Sequence, residues 1–259
     1  AFIILDTYRE NAPIIKNSEC TVHDIGDGVL CLEFTSKSNS IGEGIGRAMD
    51  EVVRIAEEGN WKGIVIGNNG KQFSVGANLM NVGMLAMQKQ FEPLGKMIDD
   101  FQQINMRIRT SKIPVVVATQ GYVFGGGCEI AMHCDAGIYA AESYIGLVEV
   151  GVGLLPGGGG TKEFAVRASD DFFDGDVQSP TLINYFKTIA TATVSTSAYE
   201  AYDLNYLKEG RDFVSVNTPM NIGLAKEKVL QLAENYMPPS VREDIQVLGR
   251  GGLSVLYSA

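Results

Sequence analysis

Three short runs in this chain are almost wholly apolar: Gly63-Ile64-Val65-Ile66-Gly67, Pro114-Val115-Val116-Val117-Ala118 and Ala136-Gly137-Ile138-Tyr139-Ala140. A strand that is apolar on both faces must be covered on both, and a parallel sheet with helices packed on it does this. Helical spacing fills the gaps between the runs. Ile45, Met49, Val52, Val53 and Ala56 recur on one helix face, and a second helix is expected from Pro93, a residue suited to a first turn, to Ser111. Upstream, the β-rich runs Thr21–Asp24 and Val29–Phe34 flank Gly26-Asp27-Gly28, a hairpin signal. Strand and helix alternate, which predicts an α/β architecture.

The texture changes at Ser169. Asp170, Asp171, Asp174 and Asp176 precede helical patterns around Leu182–Ala192, Ser197–Leu207 and Met220–Tyr236. The expected organisation is a linker or arm over 1–19, a core over 20–168, and a helical, truncated C-terminal region over 169–259. With 259 residues, 45% of them apolar, the chain can bury a substantial core and is not disordered. No apolar run approaches the ~18 residues of a spanning helix, so no membrane span is expected. The net charge of −10 argues against a nucleic-acid partner, whose footprint is a basic face. Four cysteines without a CxxC pair suggest reduced thiols. The first residues lack the basic stretch of a secretory signal, and a cytoplasmic location is expected. Only His23 and His133 are present, so no His-rich metal centre is expected.

The chemistry is to be sought where glycines cluster. Gly125-Gly126-Gly127-Cys128-Glu129 follows a strand and opens a helix, so backbone N–H groups can approach a ligand at a positive dipole end. Glu129 then falls in the first helical turn. Dipole complementarity alone would also explain a glutamate there. The second cluster runs from Gly146 through Glu149 to Gly157-Gly158-Gly159-Gly160-Thr161. A carboxylate inside such an apolar run is costly to bury ionised, which makes Glu149 a functional candidate unless it is simply a surface loop residue. A phosphate-binding P-loop fails, because Gly160-Thr161-Lys162 has the wrong order. The dinucleotide fingerprint lacks its third glycine at both Gly42 and Gly151. The loop Lys71 to Leu79 follows the first apolar strand and could bring a second backbone donor beside the Gly125–Gly127 loop. Two donors converging on one carbonyl oxygen form an oxyanion hole.

The ordered motifs FSVGANL, IPVVVATQGYVFGGGCEIAMHCD and YIGLVEVGVGLLPGGGGTKEFA resemble the crotonase, or enoyl-CoA hydratase/isomerase, superfamily over residues 20–168. A weaker echo lies in STSAYEAYDLNYL. The resemblance implies a crotonase-like ββα spiral core with a helical C-terminal region, and an acyl-CoA thioester as substrate. By position it carries the two oxyanion-hole donors onto Ala77 and Gly126, and the two glutamates that hold the attacking water onto Glu129 and Glu149. Having both glutamates favours hydration of 2-trans-enoyl-CoA to 3-hydroxyacyl-CoA in fatty-acid β-oxidation, with one glutamate as base and the other as acid. Glu129 is expected as base and Glu149 as acid, an assignment the sequence leaves open. No cofactor is implied, and NAD only if a dehydrogenase domain lies upstream. The length of 169–193 is similar to that in hydratases fused to a 3-hydroxyacyl-CoA dehydrogenase. A bifunctional protein cut to this fragment, with the dehydrogenase N-terminal, is expected on that ground, and a homo-oligomer is compatible with it.

Two positions depart from the family pattern: Asn78 where Asp is usual, and Val148 where Pro is usual. Alternatives remain a Δ3,Δ2-enoyl-CoA isomerase, which manages with one acid/base residue, and a catalytically idle acyl-CoA-binding module of a larger enzyme. His133, His23 and Cys128 read more simply as packed structural residues. Met80, Met84, Met87 and Phe91 have near-helical spacing and are expected in the core, or along an acyl pocket. Since CoA is anionic and the chain acidic, a local basic patch including Lys37 or Lys71 is expected at the mouth of the CoA channel.

Overall fold

The computed structural model describes residues 2–259, and Ala1, the first residue of the expected arm, lies outside the described residues. Seven strands form one sheet in the order in which they occur along the chain: β1 (Ile15–Lys16), β2 (Cys20–Asp24), β3 (Val29–Phe34), β4 (Gly63–Ile66), β5 (Val115–Phe124), β6 (Ala136–Gly146) and β7 (Asp212–Ser215). The first three pair antiparallel and the rest parallel. The β2–β3 hairpin forms as the sequence predicts, with positive φ at Gly26, Asp27 and Gly28.

Helices cover both faces of the sheet. On one side lie α1 (Glu43–Glu58), α2 (Leu79–Met87), α3 (Phe91–Arg109), α4 (Gly126–His133) and α5 (Gly160–Asp170). The α1 helix buries Ile45, Met49, Val52, Val53 and Ala56 and turns its charges to water, where Glu43–Arg47 and Arg54–Glu58 pair one turn apart. Further on come α6 (Ser179–Ala190), α7 (Glu200–Asp203), α8 (Asn221–Ala233) and α9 (Gly249–Ser258). The other face is closed by α8, whose Ile222, Ala225 and Val229 pack with Val65, Val116, Ala118 and Ile138.

The structure corrects two expectations, the helix over Ser197–Leu207 and the buried stripe of Met80, Met84, Met87 and Phe91. Strand β5 continues past a register shift at Gly121 and pairs Tyr122, Val123 and Phe124 with β6. Gly121 has φ +57°, and a Cβ there would lie 2.5 Å from the Lys71 carbonyl oxygen, so glycine permits the irregularity. The C-terminal region is helical, as expected, and Asp212–Ser215 within it adds the seventh strand; its charged first residue hides the pattern, and Asp212 Oδ2 accepts from the Lys208 amide. Helical structure within 197–207 shrinks to the single turn of α7. Met80, Met84, Met87 and Phe91 are exposed, not core, since α2 buries no residue. The expected arm lies against the sheet, with Ile3 and Leu5 buried on the α8 side and Arg9 paired to Glu33 at 2.7 Å.

Close packing at the sheet centre sets a stability test. A Cβ on Gly63 would lie 2.5 Å from both the Pro114 carbonyl oxygen and Val229 Cγ1. Gly63→Ala is therefore expected to cost about 3 kcal/mol, read as a lower denaturant midpoint at unchanged slope.

Candidate active site

Three backbone segments meet where β5 ends. The first is the strap 39–41, after a 3-10 turn at Lys37–Asn39. The second is the loop 71–78, which runs along β5: Ser74 N–H donates to the Tyr122 carbonyl and Phe124 N–H to the Ser74 carbonyl. The third is Gly125-Gly126-Gly127, where β5 turns into α4. Ile41 bonds both neighbours of Ala77, donating to the Gly76 carbonyl and accepting from the Asn78 N–H, each at 2.9 Å. The Ala77 N–H is thereby turned away from Ile41. Gly126 is the first residue of α4, so its N–H has no partner within the helix. The two groups are close, since a Cβ on Gly76 would lie 3.4 Å from the Gly126 nitrogen. Gly125 holds φ +51°, and its own N–H donates to the Gly146 carbonyl.

Both candidate carboxyls reach this corner. Glu129, in the first turn of α4, is 2% exposed, and its Oε1 accepts the Gly160 N–H at 2.8 Å. Its Oε2 sits 2.4 Å from where a Gly158 Cβ would be, so only glycine fits there. Helix α3 supports that loop: Gln102 Nε2 donates to the Gly157 carbonyl and Asn105 Nδ2 to the Gly158 carbonyl, both at 2.7 Å. The Phe101 ring lies against Gly126 and Gly158 together. Glu149 opens a 3-10 turn, Glu149–Val152, and its Oε1 lies 3.2 Å from where a Gly125 Cβ would be. Its Oε2 is buried without a hydrogen-bond partner.

Burial dominates the electrostatics. It raises the Glu129 pKa to about 8, with the Glu149 charge adding to the effect and the Gly160 and Gly158 N–H groups opposing it. Burial also raises Glu149 to about 7. Two carboxyls near neutrality in one corner hold roughly one proton between them. Cys128 is buried, and its thiol is pushed well above the usual range, as a small packed residue would be. All four cysteines are unpaired. Among the described residues, no group of three or more His, Cys, Asp or Glu side chains could hold a metal.

Lys37 and Lys71 are exposed and stand on neighbouring loops, because Asn39 Nδ2 donates to the Gln72 carbonyl at 2.9 Å. They belong to the strap and loop that carry Ala77, not to the glutamate side of the corner. Asn78 takes up the departure from the family pattern by capping α2, its Oδ1 accepting the Met80 N–H at 3.1 Å. Sequence reasoning missed Gly158, Gly160, Phe101 and Asn105. The Gly157–Gly160 run was a visible signal for the first two; α3 offered none.

A family model described as enoyl-CoA hydratase/isomerase matches residues 24–170. The chain belongs to that family. A probable 3-hydroxyacyl-CoA dehydrogenase of Bacillus subtilis is 40% identical over 258 residues, covering 98% of this chain and 32% of its own length. A mitochondrial enoyl-CoA hydratase of Pongo abelii is 33% identical over 138 residues, covering 52% of this chain and 45% of its own. An enoyl-CoA hydratase structure from Polaromonas sp. superposes with a TM-score of 0.68 at 22% identity, covering 83% of this chain and 77% of that one. At that identity the likeness is one of fold, and the fold is that of the crotonases. The chain spans about a third of the curated relatives it matches first, at 32% and 29% of their lengths. Among the described residues no helix is long and apolar enough to cross a membrane.

Proposed function

We propose that this enoyl-CoA hydratase/isomerase family member adds water across the double bond of 2-trans-enoyl-CoA to give 3-hydroxyacyl-CoA. One observation carries the reading: the buried Glu129 and the half-buried Glu149, both titrating near neutrality, flank a corner lined by the Ala77 and Gly126 N–H groups. The thioester carbonyl oxygen accepts from those two N–H groups, which stabilise the enolate formed when water attacks C3. The ionised carboxyl of the pair takes a proton from the water, and the protonated one delivers a proton to C2. One shared proton suits a reaction that removes one and adds one. The unpartnered Glu149 Oε2 is the atom left free to hold it or the water.

Lys37 and Lys71, on adjacent exposed loops beside Ala77, are the groups proposed for the CoA phosphates. The name and length of the Bacillus relative support placing this hydratase in a longer protein with a 3-hydroxyacyl-CoA dehydrogenase, which would oxidise the 3-hydroxy product. The four unpaired cysteines fit the reducing cytoplasm.

The test follows the enoyl thioester absorbance of crotonyl-CoA for wild type, Glu129→Gln and Glu149→Gln. Both substitutions are expected to abolish most hydration, while conversion of a 3-enoyl-CoA to the 2-enoyl-CoA that persists in Glu149→Gln would indicate the isomerase. The wild-type kcat/KM should rise and then fall across pH 6–9, with limbs near pH 7 and pH 8, where burial places the pKa values of Glu149 (about 7) and Glu129 (about 8). Hydration that survives both substitutions overturns the reading.

A further inference from the structure

Lys162 stands in the first turn of α5, where a cation opposes the positive end of the helix dipole. Its three ammonium protons are matched by three acceptors: His133 Nε2 at 2.9 Å, Glu163 Oε1 at 2.7 Å and Met106 Sδ at 3.3 Å. The other nitrogen of His133 fixes the tautomer. Its Nδ1 lies 2.6 Å from the Glu129 carbonyl oxygen, which can only accept, so Nδ1 carries the proton and Nε2 offers its lone pair to Lys162. Burial lowers the His133 pKa to about 3, so the ring is neutral and suited to accept from an ammonium. Glu163 in turn pairs with Arg109 of α3 at 2.5 Å. The cluster therefore ties α3, α4 and α5 together at the place where Gly160, two residues before Lys162, donates to the Glu129 carboxylate.

We propose that Lys162 is a positioning residue for Glu129: through His133 and Glu163 it fixes the start of α5 against α4, so that the Gly160 N–H and the Glu129 carboxyl keep their register. Neither the family match nor the motifs that carried the two glutamates single out this lysine. The ammonium also favours the ionised form of Glu129, against the Glu149 charge from the 3-10 turn and together with the Gly158 and Gly160 N–H groups. The charges facing the cluster are Arg109 from α3 and Glu163 and Arg167 from α5 itself. The inference rests on the hydratase reading only for its kinetic readout.

The Glu129 carboxyl is titrated by carbon-13 NMR of glutamate-labelled protein, assigned with Glu129→Gln, in wild type, Lys162→Met and Lys162→Arg. Lys162→Gln provides a second neutral side chain should the Met variant not fold. The Glu129 midpoint is expected to rise by about half a pH unit in the neutral variants and to return in Lys162→Arg. With crotonyl-CoA, kcat should fall about tenfold at unchanged KM in the neutral variants. An unmoved midpoint, or an unmoved kcat in an active protein, in a folded neutral variant overturns the proposal. Should wild type hydrate nothing, the hydratase reading falls alone, and the ligand-free titration still decides the role of Lys162.

Discussion

Glu129→Gln is expected to lower kcat for crotonyl-CoA hydration by about 10³-fold and, at alkaline pH, to make the protein more stable. The first effect follows from removing a carboxyl that transfers a proton while the amide oxygen still accepts from the Gly160 N–H, so the loop keeps its place. The second follows from linkage. The folded pKa of about 8 lies above the ordinary value of 4.5, so the native state binds more protons than the unfolded state between those values. Wild-type stability should therefore fall as pH rises through that window, and stay reduced above it. The amide has no charge to desolvate. Its advantage should be absent near pH 4, grow with pH, and reach a few kcal/mol above pH 8, read as a melting temperature higher by roughly 5–10 °C. A Tm difference that does not grow with pH would refute the buried-charge account, whatever happens to the rate.

Glu163 should show the opposite pH dependence. Arg109 at 2.5 Å, Lys162 at 2.7 Å, His133 at 3.6 Å and Arg167 at 4.0 Å surround its carboxylate. Arg109 and Lys162 hold its pKa near 2 against the cost of burial. A lowered pKa contributes stability that is complete above the unfolded value of 4.5 and is lost as pH falls toward 2; the shift corresponds to about 3 kcal/mol. His133, neutral and buried, adds to the same acid sensitivity, since the unfolded ring protonates first. Glu163→Ala should cost about 3–5 kcal/mol at pH 7 by leaving the buried Arg167 without its carboxylate, and Glu163→Gln somewhat less. Both variants should lose the part of the acid unfolding slope that lies below pH 4.5. Urea midpoints across pH 3–8 read both effects.

The apolar runs and the helical spacing around Ile45 were enough to read the sheet, because burial on both faces leaves a compositional trace. Gly125 to Glu129 was equally legible: glycines before a helix and a carboxyl in its first turn are local signals. What escaped was non-local. Asn105 and Phe101 sit on a helix whose pattern says only that one face is covered, and their contact with Gly158 spans over fifty residues. The exposed Met80, Met84, Met87 and Phe91 defeated the usual meaning of an apolar stripe, since spacing reports a face and not what covers it. Strand β7 was lost for a related reason: Asp212 is charged in sequence yet buried in the fold, where the Lys208 amide and Arg211 pair with its Oδ2.

Because spatial order in the sheet follows chain order, each new strand finds its edge already waiting as the polypeptide lengthens. Assembly can then proceed strand by strand from the amino end, with tight closure at the β2–β3 hairpin and longer crossovers from Ile66 to Val115 and from Gly146 to Asp212. The exception is the α8 face. Val65, Val116, Ala118 and Ile138 stay uncovered until Ile222, Ala225 and Val229 have been made, and Asn221 Nδ2 then anchors the helix on the Thr119 carbonyl at 2.9 Å. A nascent chain that has completed six strands therefore carries a sticky apolar surface for roughly seventy-five further residues, and in that interval a chaperone or a neighbouring chain would meet it first.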